Sequence, residues 1–175
     1  KRNGEPLSHS SQGSLLVAVC VWFRWLAKHN EILYNPAADL ELPRRDRKLP
    51  PRGFSLKEVE EVLNSIDTST LLGIRDRAVF EVLYSTGLRR FELCGLRLYD
   101  VDRGKGTVFV RQGKGRKDRV VPIGKRALAW LEKYLDHVRP TLSFSDDEDY
   151  VFLTQRKTRL RPNTLTQLGT TIIHD

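Results

Sequence analysis

The chain has 175 residues, of which 39% are apolar and 30% are charged, a composition typical of a folded domain that excludes a disordered tail. Lysine and arginine outnumber aspartate and glutamate by 30 to 22, and the net charge of +8 favours a polyanionic partner, although many basic proteins bind nothing specific. The longest apolar run, residues 15–23, is much shorter than the roughly 20 residues that cross a bilayer, and no secretory signal precedes it, so we expect a cytoplasmic protein without a membrane segment.

The first predicted helix covers residues 11–30, where apolar residues recur at helical spacing along one face. Its aromatic residues Trp22, Phe23 and Trp25 are expected in the core or in an interface. The chain contains no methionine, so we expect it to begin inside a longer reading frame. If partner helices are missing, Trp22, Phe23 or Trp25 should be partly uncovered. Cys20 and Cys94 lie in apolar helical patterns without zinc spacing, which predicts two reduced thiols and no metal site.

Residues 44–53 are predicted to form a linker, because prolines keep this segment extended and outside either flanking helix. The linker is also basic, and an extended basic segment suits a protein that wraps round a polyanion. A solvated tether is an equally good alternative. Its four cations before the proline pair are Arg44, Arg45, Arg47 and Lys48.

Three helices are predicted after the linker. Ser55 and Glu58 form a capping box at the start of the first, because each side chain can satisfy the backbone amide of the other residue. The second helix covers residues 74–85 and ends at Gly87, a residue suited to the left-handed conformation that closes many helices. The third is short and covers residues 89–95.

The spacing of the apolar pattern then changes to two, which is typical of strands. Residues 107–111 and 119–123 are rich in β-forming residues, and a loop with two glycines joins them, so we expect a hairpin. The remaining predicted elements are a helix over 125–138, a short strand over 150–153, a basic turn over 156–161 and a last helix that opens at Pro162. The predicted fold class is mainly α with a small antiparallel β-sheet.

Arg89 is the first candidate site residue, because it stands where one predicted helix ends and the next begins. The unpaired amides and the dipole at a helix N-terminus favour an anion, and a guanidinium can hold a phosphate through two hydrogen bonds. Glu92, one helical turn later, can hold the Arg89 side chain in place. On spacing alone, a surface arginine with a capping glutamate remains an alternative.

The hairpin loop is the second candidate site. Glycines on both sides of Lys114 allow the loop to approach a backbone closely, and a lysine in a positive, partly desolvated site can protonate a leaving alkoxide. Taken alone, such a loop is more typical of an exposed charged turn. Its cations are Arg111, Lys114, Arg116, Lys117 and Arg119, and only Asp118 opposes them.

Together, the runs TGLRRFELCGL (86–96) and GKGRKDRVVPIG (113–124) resemble the paired motifs of the tyrosine recombinase family, which is also called the phage integrase family. The resemblance implies that Arg89 binds the scissile phosphate, that Glu92 supports Arg89, and that Lys114 protonates the leaving 5′ oxygen. It also implies the catalytic fold of DNA breaking-rejoining enzymes. The predicted DNA-binding residues are Arg44, Arg45, Arg47, Lys48, Arg111, Arg116, Lys117 and Arg119.

The resemblance extends upstream, to the region where family members finish a helical core-binding domain and cross to the catalytic domain. The implied organisation is the C-terminal part of a core-binding domain over 1–43, the linker over 44–53, and the N-terminal part of a catalytic domain over 54–175. The second half of the family's site, which is a His-x-x-Arg motif followed by a His or Trp and a nucleophilic Tyr, is not found, and none of the five tyrosines can take the nucleophile's role by position.

By resemblance, the parent protein recombines DNA through a 3′-phosphotyrosyl link, without a metal or other cofactor, and its partners are double-stranded DNA and further recombinase protomers. We therefore expect a DNA-binding fragment that associates with the nucleoid and cannot cleave alone. A non-catalytic DNA-binding regulator on the same scaffold is one alternative. A helical protein-interaction module, whose charge serves only solubility, is another.

Overall fold

The computed structural model describes residues 4, 6–43, 52–111, 117–143 and 149–174. The chain divides into two compact units, residues 1–53 and residues 54–175. In the described residues, no helix is both long enough and apolar enough to cross a membrane.

The first unit is built on helix α1, His9–Lys28. The Ser8 hydroxyl caps it by accepting a hydrogen bond from the backbone N–H of Ser11 at 3.2 Å. The apolar face that the sequence predicts is largely exposed, since Leu15 is 59% and Trp22 is 57% solvent-accessible, and Trp25 beside it is 52% accessible. Assigning these two rings to a core was therefore wrong within this chain, whereas the expectation that they are partly uncovered is confirmed.

The second unit begins with two capped helices, α2 (Leu56–Ser65) and α3 (Leu71–Thr86). The predicted capping box is present: the backbone N–H of Ser55 donates to the Glu58 carboxylate at 2.6 Å, and the backbone N–H of Glu58 donates to the Ser55 hydroxyl at 3.3 Å. Helix α3 starts one turn earlier than predicted, because the Thr70 hydroxyl caps it by accepting from the N–H of Gly73 at 3.0 Å.

A short helix and a small sheet follow α3. Helix α4 (Arg90–Gly95) leads through a 3-10 turn (Leu98–Asp100) into an antiparallel sheet of three strands in sequential order. The strands are β1 (Val101–Asp102), β2 (Thr107–Val110) and β3 (Arg119–Pro122). Strands β2 and β3 form the predicted hairpin, and the pair Val110–Arg119 lies at the end of the register nearest the loop.

The chain then returns to helix. Helix α5 (Lys125–Lys133) continues through a π-helical turn (Tyr134–Val138) into α6 (Arg139–Leu142), and α7 (Pro162–His174) opens at the predicted proline. The strand predicted over 150–153 is absent; the described backbone there forms only two isolated bridges, Arg97–Tyr150 and Leu153–Arg159. The fold class, mainly α with a small antiparallel sheet, is confirmed.

The core of the second unit lies where α3 packs against α5 and the π-helical turn. Tyr134, the first residue of this turn, lies in the core, where its ring stacks on Phe152 with the ring centroids 5.4 Å apart. The buried phenol keeps a hydrogen bond, because its oxygen accepts from the backbone N–H of Leu153 at 3.1 Å. Burial also raises the pKa of Tyr134 to about 12.

An ion network ties the helices together at the edge of this core. Glu81, which is 1% exposed, accepts from Arg77 of the same helix at 2.9 Å and from Arg126 of α5 at 2.9 Å. Arg126 also contacts Glu60 of α2 at 2.6 Å. The buried carboxylate has two guanidinium partners and is therefore not left as an unpaired buried charge, and the contacts of Arg126 link α5 to both α2 and α3.

Candidate phosphate-binding site

Three residues separate the end of α3 from the start of α4, and they bring Arg89 to the surface. Gly87 closes α3 with φ of 61°, in the left-handed region that glycine adopts without strain. Leu88 turns inward and is 6% exposed. Arg89 then occupies the N-cap position of α4, and its side chain is 56% exposed.

Glu92 holds Arg89 through two hydrogen bonds. The backbone N–H of Arg89 donates to Oε2 of Glu92 at 2.8 Å, and Nη1 of Arg89 donates to Oε1 at 2.9 Å. The Glu92 side chain is only 7% exposed, so the carboxylate anchors the more exposed guanidinium from beneath. The predicted contact between these two side chains is confirmed.

Arg119 is a second guanidinium on the same carboxylate. Its Nη1 donates to Oε1 of Glu92 at 2.9 Å and its Nη2 donates to Oε2 at 2.8 Å, which is the bidentate geometry of strong arginine–carboxylate pairs. Arg119 is the first residue of β3, and alternation along the strand puts it on the same face as Val121, which packs on the core. The pair therefore links β3 to α4.

These contacts fix the charge of the site. The hydrogen bonds from Arg119 lower the pKa of Glu92 most, desolvation opposes them, and the bonds from Arg89 lower it further, to a value of about 2. Glu92 is therefore ionised throughout the physiological pH range. Two guanidinium groups face one carboxylate, and the three side chains together carry one net positive charge.

A cleft opens beside these residues. It has a volume of about 610 Å3 and is lined by Gly87, Arg89, Lys117, Asp118 and Arg119. The stem of the basic hairpin loop and the α3–α4 junction thus share one concave surface. Lys117 is exposed there. This combination can bind an anion, since Arg89 and Lys117 supply positive charge at the rim and the Arg89 guanidinium is oriented by Glu92.

Arg111, at the other end of the loop, makes a separate structural contact. Its Nε donates to Asp100 at 2.7 Å, and its guanidinium lies 5.1 Å from the ring centroid of Tyr99 and 4.9 Å from that of Phe109. The hydrogen bond to Asp100 raises the pKa of Arg111. Its side chain is still 53% exposed, so its DNA-binding role stays a prediction.

Six of the site residues predicted from the sequence lie outside the described residues. They are Arg44, Arg45, Arg47, Lys48, Lys114 and Arg116. Within the described part of the chain, no group of three or more His, Cys, Asp or Glu side chains is arranged to hold a metal ion.

The contact that sequence reasoning missed is the one between Arg119 and Glu92. Arg119 was grouped with the other loop cations as a DNA-binding residue. The strand pattern could have distinguished Arg119 from the other loop cations, because an arginine two positions before the apolar Val121 lies on the inward face of the hairpin.

The model of the phage integrase family matches residues 53–173 of this chain. The chain belongs to the phage integrase family. Among curated phage integrase relatives, tyrosine recombinase XerC 2 of Ralstonia nicotianae is 53% identical over 148 residues, which cover 85% of this chain and 43% of that protein. Tyrosine recombinase XerD of Listeria monocytogenes is 38% identical over 150 residues, 85% of this chain and 50% of the relative. The chain spans about half the length of the curated relatives it matches.

Solved structures of phage integrase proteins share the fold. XerA recombinase is 30% identical with a TM-score of 0.62, and the match covers 96% of this chain and 55% of XerA. XerH site-specific recombinase, solved bound to its palindromic difH substrate in a post-cleavage complex, is 25% identical with a TM-score of 0.77 over 98% of this chain and 49% of XerH.

Proposed function

We propose that this chain is a DNA-binding part of a site-specific tyrosine recombinase and that the cleft beside Arg89 binds a backbone phosphate of double-stranded DNA. The observation that carries the proposal is the Arg89 guanidinium, which is half-exposed, anchored by the buried carboxylate of Glu92, and directed to a cleft that the basic hairpin borders. Family membership supplies the reaction class: relatives that share 38–53% identity are tyrosine recombinases.

In this proposal, Arg89 neutralises charge on the scissile phosphate, Glu92 holds it in place, and Lys114 gives a proton to the leaving 5′ oxygen. The intact recombinase attacks the phosphorus with a tyrosine and stores the bond energy in a 3′-phosphotyrosyl link, which a 5′-hydroxyl later reverses. Residues 1–175 contain no complete His-x-x-Arg motif, and by resemblance none of their five tyrosines takes the nucleophile's position. We therefore expect this chain to bind DNA without cleaving it.

The remaining assignments belong to the same proposal. Residues 1–43 are the C-terminal part of a helical core-binding domain, 44–53 are a basic linker, and 54–175 are the N-terminal part of the catalytic domain. The partners are double-stranded DNA and further recombinase protomers, and the protein works in the cytoplasm, on the nucleoid when bound to DNA. The XerH complex with difH supports DNA as the partner.

Binding of the 175-residue chain to a fluorescent duplex, followed by anisotropy over a range of salt concentrations, tests the proposal. The slope of log K against log salt counts the phosphates neutralised, and Arg89→Ala should reduce it by about one. The control is Lys57→Ala, which removes one positive charge from an exposed residue of α2 that does not line the cleft and should leave the slope unchanged.

Two results would contradict the proposal. An unchanged slope for Arg89→Ala would show that Arg89 does not bind a phosphate in the cleft, and salt-independent binding by the unmodified chain would favour a protein-interaction module.

A suicide duplex incubated with the chain should give no covalent adduct. An adduct on any of the five tyrosines would refute the statement that this chain does not cleave.

A further inference from the structure

We infer that Arg119 is a positioning residue for Arg89, acting through Glu92, and that it does not itself contact DNA. The inference deepens the proposed function and rests on it, because it concerns how Arg89 is kept ready for a phosphate. It also replaces the role that the sequence suggested for Arg119, that of one DNA-binding cation among several.

The hydrogen bonds of Arg119 are the first argument. Both of its terminal nitrogens are engaged by the two oxygens of Glu92, at 2.9 and 2.8 Å. A guanidinium offers five N–H groups in a rigid fork, and the edge formed by Nη1 and Nη2 can serve only one carboxylate or phosphate at a time. Contact of that edge with DNA would require breaking a pair with a carboxylate that is 7% exposed. Arg89, in contrast, uses only Nη1 of its side chain on Glu92 among the described residues.

The charge balance is the second argument. With both arginines present, Glu92 is satisfied by Arg119 and the positive charge of Arg89 remains available to a phosphate. Without Arg119, the buried carboxylate would have Arg89 as its remaining cationic partner among the contacts described. Arg89, which already contacts Glu92 at 2.9 Å, would then be the cation that balances this carboxylate, because unit charges attract strongly at close range and low solvation. The net charge of the Arg89–Glu92 pair would be zero, and Arg89 would no longer contribute a positive charge to phosphate binding in the cleft.

Chain topology is the third argument. Arg119 and Glu92 are 27 residues apart in sequence. The first lies at the point where the basic loop re-enters the sheet, and the second lies in the helix that carries Arg89. The ion pair therefore fixes the stem of the loop relative to Arg89.

The test is a set of salt-dependence measurements on Arg89→Ala, Arg119→Ala and the double variant, with the duplex assay described above. A positioning role predicts that each single variant reduces the slope by about one and that the double variant loses no more than Arg89→Ala alone. A direct phosphate contact predicts additive losses of about two for the double variant, and that result would overturn the inference.

A suppressor variant distinguishes positioning by Arg119 from a merely structural role, because only positioning predicts that the salt-dependence slope recovers. In Arg119→Ala/Glu92→Gln the competing negative charge is gone, while the glutamine oxygen can still accept a hydrogen bond from Arg89. The charge of Arg89 is then available again, and the slope should return to within a few tenths of that of the unmodified chain. Arg119→Lys keeps the charge but not the bidentate pair, and its slope should lie between those of the unmodified chain and Arg119→Ala. Failure of Glu92→Gln to restore the slope would refute the inference.

The matched control for additivity is Lys117→Ala, which removes the same charge from an exposed residue of the same loop stem. Its loss of slope should add to that of Arg89→Ala. If Arg119→Ala does not fold, the comparison of Glu92→Gln with Glu92→Gln/Arg119→Ala decides: equal slopes support positioning, and a further loss of about one refutes it. If Arg89→Ala has a normal slope, the proposed function fails and the inference falls with it, whereas additive losses overturn the inference alone.

Discussion

Substitution of Glu92 by glutamine should remove a pH-dependent part of the stability of the second unit. Glutamine keeps the shape of the side chain and can still accept a hydrogen bond, but it cannot titrate. The ionised carboxylate accepts hydrogen bonds from Arg119 and Arg89 in the folded chain and is solvated in the unfolded chain. The unmodified chain should therefore lose stability with acid in a way that Glu92→Gln does not.

The size of the effect follows from the pKa. A carboxyl whose pKa falls from 4.5 to about 2 on folding stabilises the fold by about 3 kcal/mol when it is ionised in both states. Because the folded pKa lies below the unfolded one, this contribution is present above about pH 5 and is lost as pH falls through 4.5 toward 2. Between about pH 6 and pH 3 the loss amounts to about 2 kcal/mol. Arg119 is 36% exposed, so screening by water makes both figures upper values.

Urea unfolding at several values of pH, followed by circular dichroism, measures this contribution. The free energy of unfolding of the unmodified chain minus that of Glu92→Gln should shrink by up to about 2 kcal/mol from about pH 6 to about pH 3, and other carboxylates cancel in the difference. Glu61→Gln is the control, since Glu61 is 64% exposed and pairs only loosely with Lys57 at 3.8 Å. A difference that stays constant with pH for Glu92→Gln would refute the electrostatic account of the site.

Three further outcomes are expected. Tyr134→Phe leaves the buried N–H of Leu153 without an acceptor, so urea unfolding should show a loss of about 1–3 kcal/mol. Gly73→Ala places a methyl group 1.7 Å from the carbonyl oxygen of Asp67, so the turn before α3 must move and the melting temperature should fall by at least a few degrees; an unchanged value would contradict the packing described. Burial raises the pKa of Cys94 to about 11, so a thiol reagent at about pH 8 should modify only one of the two thiols until the chain unfolds.

Local patterns predicted local structure well. The capping box at Ser55, the glycine that closes α3 and the proline that opens α7 are each defined by two or three neighbouring residues, and all three were identified. The contact between Arg89 and Glu92 belongs to the same class, since three residues along a helix bring side chains together.

Contacts between distant segments could not be predicted in the same way. The pairs Arg119–Glu92 and Arg126–Glu81 join residues that only the finished fold brings together, and any of the chain's many cations could have been the partner. Periodicity has a similar limit in α1. Spacing shows that one face is apolar but carries no information on what covers it, so spacing alone could not decide whether Trp22 is buried or, as the structure has it, exposed.

The positions of the three tryptophans give each unit its own optical reporter. Two indoles, Trp22 and Trp25, are in α1 and are solvent-exposed in the folded chain. Their fluorescence emission should therefore be red-shifted in the native state and should change little on unfolding. The third, Trp130 in α5, is partly buried, and its ring centroid lies 5.0 Å from the guanidinium carbon of Arg77. Replacing the first two by phenylalanine would leave a chain whose fluorescence follows the melting of residues 54–175 by themselves.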